Sequence, residues 1–215
     1  MPEVIINGPA GRLEGRYHAG VGSSPPLALV LHPDPQGGGT MNNKVVYALF
    51  HSFAHLGFSV LRFNFRGVGR SEGTYDNGEG ELVDSAAALD WLQAAHEDSR
   101  IVWVSGFSFG AWLAFHLLMR RPELGGFVSV APPVDRYDFN FLAPCPSSGI
   151  VLQGDQDTIV QEAAVAKLAK EMEVQKNVSI TYQMIPGADH FFEGRLDVLA
   201  QSVVRYVSGQ VRPPN

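Results

Sequence analysis

Residues 101–113 read Ile-Val-Trp-Val-Ser-Gly-Phe-Ser-Phe-Gly-Ala-Trp-Leu. An apolar, partly β-branched run leads into Gly106-Phe107-Ser108-Phe109-Gly110, and helix-forming residues follow. The order predicts a strand, a sharp turn and a helix, the setting in which Gly-x-Ser-x-Gly makes a nucleophile elbow. A serine on so strained a turn brings the residues two before and two after it against each other, so both must be very small. The turn would lift the Ser108 hydroxyl above the sheet edge. It would also start a helix whose first N–H groups face developing negative charge. The pentapeptide is common on its own, so the rest of the chain must supply a base, an acid and an oxyanion hole.

Outward from this stretch, strands and helices alternate. On the amino-terminal side, residues 3–7 and 11–18 flank Gly8-Pro9-Ala10-Gly11 as an antiparallel hairpin. Leu27-Ala28-Leu29-Val30-Leu31 is continuously apolar, as a strand buried on both faces is. A Pro/Gly-rich loop follows from His32. Asn43 then caps a helix in which Val45, Val46, Leu49, Phe50, Phe53 and Leu56 recur at helical spacing and which Gly57 ends. Residues 58–65 form a strand. Residues 79–95 form a helix with Leu82, Ala86, Leu89 and Leu92 on one face.

On the carboxyl-terminal side, strands are expected at 126–131, 150–153 and 178–185. A helix is expected over 158–173, with Val160, Ala164, Leu168 and Met172 in register, and a final helix opened by His190 carries Phe192, Leu196, Leu199, Val203 and Tyr206 inward. The whole predicts one α/β domain over residues 1–215: a mostly parallel twisted sheet flanked by helices, with the hairpin at one edge. Its ligand site would lie beyond the carboxyl ends of the strands.

Bulk properties narrow the function. The chain has 215 residues, 45% hydrophobic and 18% charged, enough apolar material for a substantial core. The net charge of −6, with no basic run, argues against a nucleic-acid partner. The amino terminus lacks a basic segment and an apolar segment of the signal-peptide kind, and the charge-free stretch 101–119 is better read as strand, turn and helix than as a membrane span. A cytoplasmic protein is the expectation. The single cysteine, Cys145, sits between two prolines without an elbow and is not expected to be a nucleophile. His51 and His55 have metal-ligand spacing on a helix but no glutamate after the first and no evident third ligand, so neither a metal nor a cofactor is expected.

A serine hydroxyl is a weak nucleophile until a base activates it. Of seven histidines, His51, His55, His96 and His116 fall in helices and His18 on a strand, while His32 and His190 sit at strand ends. His190, after the last strand, is the candidate base. The base needs an acceptor to fix its tautomer. Asp157 is the favoured acid; Asp155 would brace the loop, and Asp189 is a weaker candidate. The order Ser108, Asp157, His190 is that of the α/β-hydrolases. For the oxyanion hole, the N–H of Phe109 comes next after the nucleophile, and a second donor is expected from the loop at His32. Pro33 and Pro35 have no N–H, which leaves Asp34, whose carboxylate must turn away or be paired if it is not to oppose the chemistry.

Taken together, these motifs resemble a small, cap-less α/β-hydrolase of the dienelactone hydrolase-like type. They are Leu-His-Pro, Gly-Gly-Thr-Met-Asn-Asn-Lys-Val-Val, Phe-Asn-Phe-Arg-Gly-Val-Gly-Arg-Ser-Glu-Gly, Gly-Phe-Ser-Phe-Gly, Gly-Asp-Gln-Asp and Gly-Ala-Asp-His-Phe-Phe. The resemblance spans nearly the whole chain and is strongest to bacterial hydrolases described as serine esterases. It departs in two places. Dienelactone hydrolase uses a cysteine nucleophile where Ser108 stands, so its substrate is not implied. Close relatives often carry a second histidine where this chain has Asp34.

Such folds insert a lid after the strand that follows the elbow helix. Residues 132–148 are too few for a cap and offer a proline- and aromatic-rich lip. The expected function is a carboxylesterase for short acyl chains, with a small-molecule ester as partner, no membrane, and a monomeric or homodimeric state. Phe107, Phe109, Phe141, Phe191 and Phe192 are candidates for an apolar pocket, although most such residues are core. A thioesterase, lactonase, peptidase or perhydrolase on the same triad is the first alternative. A silent binding module of this fold is the second.

Overall fold

The computed structural model describes residues 2–142, 144–173 and 177–211. One eight-stranded sheet runs through them in the order β1-β2-β4-β3-β5-β6-β7-β8. The hairpin β1 (Glu3–Gly8) and β2 (Gly11–His18) is antiparallel, and β2 also pairs antiparallel with β4 (Ser59–Phe63). The strands β3 (Leu27–Leu31), β4, β5 (Val102–Phe107), β6 (Leu124–Val130), β7 (Gly149–Gly154) and β8 (Ile180–Ile185) are mutually parallel. This is the α/β-hydrolase sheet with its antiparallel edge. Every residue of β3, β4, β5 and β7 is buried, as continuous apolar runs in an interior parallel sheet require.

Alternation along β3 divides the core. Leu27, Leu29 and Leu31 face one layer with Leu89, Leu92 and Leu113, while Ala28 and Val30 face the other with Phe50, Leu199 and Val203. The first layer is closed by α2 (Glu79–Ala94), α3 (Phe109–Leu118) and α4 (Glu162–Met172), and the second by α1 (Lys44–His55) and α5 (Leu196–Gln210). Asn43 caps α1 as expected, its Oδ1 accepting the Val45 N–H at 2.9 Å. Among the described residues no helix is long and apolar enough to cross a membrane.

Three helices depart from the sequence pattern. In α2, Leu82 and Ala86 are only partly buried, and Glu81, Asp84, Ser85 and Ala88 join Leu89 and Leu92 inside. Two polar demands override the apolar face. Arg66 donates from Nε and a terminal nitrogen to the Asp84 carboxylate at 2.9 and 2.7 Å, and Glu81 accepts the N–H groups of Asp76 and Gly78 at 2.9 and 2.7 Å. The helix α4 begins at Glu162 rather than near 158, because Asp157 holds the preceding residues in a turn. Likewise α5 begins at Leu196. Phe192, at φ 55°, and Gly194, at φ 67°, turn the chain between His190 and the helix, so Phe192 is buried from a loop.

The described residues of the connection over 132–148 are packed down rather than raised. Phe139, Leu142 and Cys145 are buried, and Tyr137 stacks on Trp112 of α3 with centroids 4.4 Å apart. Ala143 lies outside the described residues.

Candidate active site

The elbow forms where the motif predicts it. Ser108 follows β5 at φ 53° and ψ −119°, a conformation that costs a non-glycine residue about 1–3 kcal/mol. The surroundings enforce it. The Ser108 N–H donates to the Val130 carbonyl at 2.9 Å, and its own carbonyl accepts the Ala111 N–H at 2.8 Å to start α3. A Cβ on Gly106 would sit 2.1 Å from the Gly110 carbonyl oxygen, the contact between flanking positions that the motif implies. A Cβ on Gly110 would meet the carbonyls of Leu31 and His32, at 2.4 and 2.6 Å. The second glycine therefore also admits the loop after β3 to the first turn of α3.

His190 and Asp157 arrive from β8 and β7, strands on the β6 side of the elbow. Their loops are stitched together: the Gln156 N–H donates to the Ala188 carbonyl at 2.9 Å, and the Gly187 N–H to Asp155 Oδ1 at 2.6 Å. Asp155 thus braces the loops, while Asp189 accepts the Glu193 N–H and closes the turn after His190. Neither joins His190.

Asp157 does. His190 Nδ1 lies 2.7 Å from Asp157 Oδ2, and His190 Nε2 lies 3.2 Å from Ser108 Oγ. An ionised carboxylate only accepts, so Nδ1 carries the ring proton and Nε2 is free to take the serine's. The Asp157 side chain has no exposed surface and that of His190 has 6%. Burial by itself pushes the Asp157 carboxyl up. The His190 hydrogen bond and the N–H groups of Val160 and Ile159 outweigh it and hold the group below the usual aspartate value.

The first turn of α3 and the loop after β3 are assembled differently. Phe109 is the first residue of α3, so its N–H has no partner within the helix. Asp34 precedes a short turn, Pro35–Gly37, and its Oδ1 accepts the Gln36 N–H at 2.8 Å. The carboxylate therefore caps its own loop. That loop is fastened by His32, which sequence reading left without a role. The fully buried ring donates from Nδ1 to the Pro33 carbonyl at 2.7 Å and accepts the Phe65 N–H on Nε2 at 3.1 Å. Burial pushes His32 down to about 4, so it stays neutral and keeps both bonds.

Of the pocket candidates, Phe107, Phe109 and Phe192 are core. Phe141 stacks on His116 of α3, 3.9 Å between centroids. Phe191 alone is exposed beside the site, its ring 5.2 Å from that of His190. Sequence reading missed Tyr75, whose ring lies 6.3 Å from that of Phe109, with Tyr137 on the same ring at 5.8 Å. A cavity of about 690 Å³ lies elsewhere, at the amino ends of the strands among Pro26, Leu56, Phe58, Ile101 and Val207, and does not serve the triad. Cys145 is buried and its thiol is pushed up by that burial, which suits a core residue rather than a nucleophile.

The family model of the X-Pro dipeptidyl-peptidase (S15 family) matches residues 21–190. The chain belongs to the S15 family. Its α/β-hydrolase membership is equally clear in structure. This S15-family chain is 53% identical to an α/β-hydrolase of unknown function from Agrobacterium tumefaciens, with a TM-score of 0.94 over the full length of both chains. It is 33% identical to an α/β serine hydrolase without a lid from Xanthomonas campestris, with a TM-score of 0.90 over 100% of this chain and 96% of the other. An uncharacterized protein of Rickettsia prowazekii is 48% identical over 96% of this chain and 89% of its own. The α/β serine hydrolase fold and the expected lidless type therefore hold for this S15 member.

Proposed function

We propose that this protein is a serine carboxylesterase acting on short acyl chains. The observation that carries the reading is the unbroken chain of contacts from Ser108 Oγ through His190 to the buried Asp157 carboxylate. Ser108 attacks the ester carbonyl while His190 Nε2 takes its proton. The tetrahedral oxyanion is met by the Phe109 N–H and, from the loop after β3, the Asp34 N–H. His190 then hands the proton to the leaving alcohol, and the acyl-enzyme forms. Water repeats the sequence and releases the acid. Asp157 stays ionised and stabilises the imidazolium at each stage.

A short acyl group suits a site whose neighbouring connection, 132–148, packs its described aromatics on α3, with Phe191 as an exposed apolar wall. The partner is then a small-molecule ester. A cytoplasmic location and a monomeric or homodimeric state belong to the same reading. A second reading, cleavage of a peptide after an X-Pro unit, is favoured by the family match alone.

A fluorophosphonate probe, a panel of p-nitrophenyl esters and an X-Pro p-nitroanilide, each run beside Ser108→Ala, separate these readings. Labelling together with short-ester turnover, both lost in the variant, is the expected result. Anilide cleavage without ester turnover would replace the esterase with the peptidase. Absence of labelling would leave a binding module.

A further inference from the structure

The strand β7 ends Ile-Val-Leu-Gln-Gly, and Gln153 is the polar residue of that otherwise apolar run. It is fully buried. Its Nε2 lies 2.9 Å from Asp157 Oδ2, 3.1 Å from the Val160 carbonyl and 3.4 Å from the Gly154 carbonyl. All three neighbours are acceptors. A reversed amide would set oxygen against three oxygens, so the orientation is forced. The other end is left over: Gln153 Oε1 is buried and has no hydrogen-bond partner among the described residues.

An unpaired buried carbonyl is unfavourable, and an apolar side chain of the same size would have none. The donor on Nε2 gives this glutamine its purpose. Asp157 Oδ1 is held by the N–H groups of Ile159 and Val160, both 2.8 Å away and both on the same loop as the aspartate. Oδ2 meets two side chains, His190 and Gln153. Gln153 stands on the sheet, so it ties the carboxylate to the frame that also carries Ser108. Backbone donors on the loop move with the loop and cannot do this.

We propose that Gln153 is a positioning residue for the reaction at Ser108, fixing the Asp157 carboxylate against His190 and keeping the transferred proton on the imidazole. The proposal rests on the catalytic reading of the triad. During acylation the proton leaves Ser108 Oγ for His190 Nε2 and then passes to the leaving oxygen, so Asp157 gains none. A second donor on Oδ2 lowers that oxygen's affinity for the Nδ1 proton, which faces it throughout. Neighbouring carboxylates are occupied elsewhere: Asp135 accepts the Gln161 N–H, Asp155 that of Gly187 and Asp189 that of Glu193. Asp157 is thus the charged group that meets Gln153, with His190 beyond it.

The test uses Gln153→Met and Gln153→Glu beside wild type and Ser108→Ala. Fluorophosphonate labelling rate, p-nitrophenyl acetate kinetics across pH, and melting temperature are measured for each. Gln153→Met is expected to melt close to wild type, because losing the orphan carbonyl offsets the donor withdrawn from Asp157 and the Val160 carbonyl. Its kcat is expected to fall about tenfold with KM unchanged, the loss of one charge-assisted hydrogen bond. The acid limb of its rate profile should move to higher pH, because the freed carboxylate stabilises the imidazolium more strongly. Gln153→Glu puts a second carboxyl beside Asp157; two carboxylates 2.9 Å apart in a buried site do not both ionise, so the protonated glutamic acid still donates to Oδ2 and should keep the limb near wild type.

Wild-type kcat with an unmoved acid limb in Gln153→Met overturns the proposal, whatever the melting temperatures. A fall in its kcat with an unmoved limb overturns it too, because a merely structural loss would do that. Should wild type itself not react with the probe, the triad reading fails first and the proposal falls with it.

Discussion

The loops after β7 and after β3 each bring an aspartate to the carboxyl edge of the sheet, and they hold it in opposite ways. The Asp157 side chain has no exposed surface and accepts four hydrogen bonds, from Ile159, Val160, Gln153 and His190. Asp34 spends one carboxylate oxygen on the Gln36 N–H of its own turn and makes no hydrogen bond to a triad residue. In the first loop the side chain reaches His190 and the backbone N–H groups hold it there. In the second the side chain shapes the loop, and in the proposed mechanism it is the backbone N–H that meets the oxyanion. Two aspartates at similar strand ends thus differ in which of their atoms matters.

Substitution to asparagine breaks or sharpens that contrast, and Asp157→Asn should have the largest effect. An asparagine amide facing Nδ1 favours the wrong imidazole tautomer, so kcat should fall by about 10⁴-fold. Steady-state ester hydrolysis with active-site titration measures it. A loss under tenfold would mean that the buried carboxylate is structural only.

His32 ranks next, because it fastens the loop that Asp34 shapes. His32→Gln should lower kcat by about tenfold through a loosened oxyanion donor. It should also change how stability depends on pH. The folded ring is held down to about 4, whereas the unfolded ring titrates near its ordinary 6.5. Between these values the unfolded state binds the proton and the folded state does not. Wild type therefore loses stability as pH falls from 6.5 towards 4, by up to about 3 kcal/mol from this group, and no further below that. Urea melts across this window should show a shallower loss in the variant. Parallel losses would show that the buried ring is not the cause.

Asp34→Asn should have the smallest effect. Asparagine can still accept the Gln36 N–H, and the Asp34 main-chain donor is untouched, so kcat on neutral esters should stay within about threefold of wild type. Kinetics on a neutral and an anionic acyl ester check this. A large loss on both would give the Asp34 side chain a role equal to that of Asp157 and erase the contrast.

What the sequence made legible divides along the same line. Ser108, Asp157 and His190 stand at strand ends in an order that a chain pattern can carry, and hydrophobic periodicity located every strand of the sheet. The supporting contacts were hidden because they join residues distant in sequence. His32 pairs with Phe65, and Arg66 with Asp84, and the latter turned α2 so that a polar stripe lies inside. Helical register drew α4 and α5 too early, because it cannot see that Asp157 and Phe192 hold the preceding residues in turns. Gln153 did leave a trace: a glutamine ending an apolar strand four residues before an aspartate.

Rapid-quench mass spectrometry during turnover of p-nitrophenyl butyrate tests the central claim most directly. One butyryl group should appear on the peptide carrying Ser108, form together with the burst of p-nitrophenol, and be absent from Ser108→Ala. Turnover that survives in Ser108→Ala, or an acyl group found on any other residue, would contradict it.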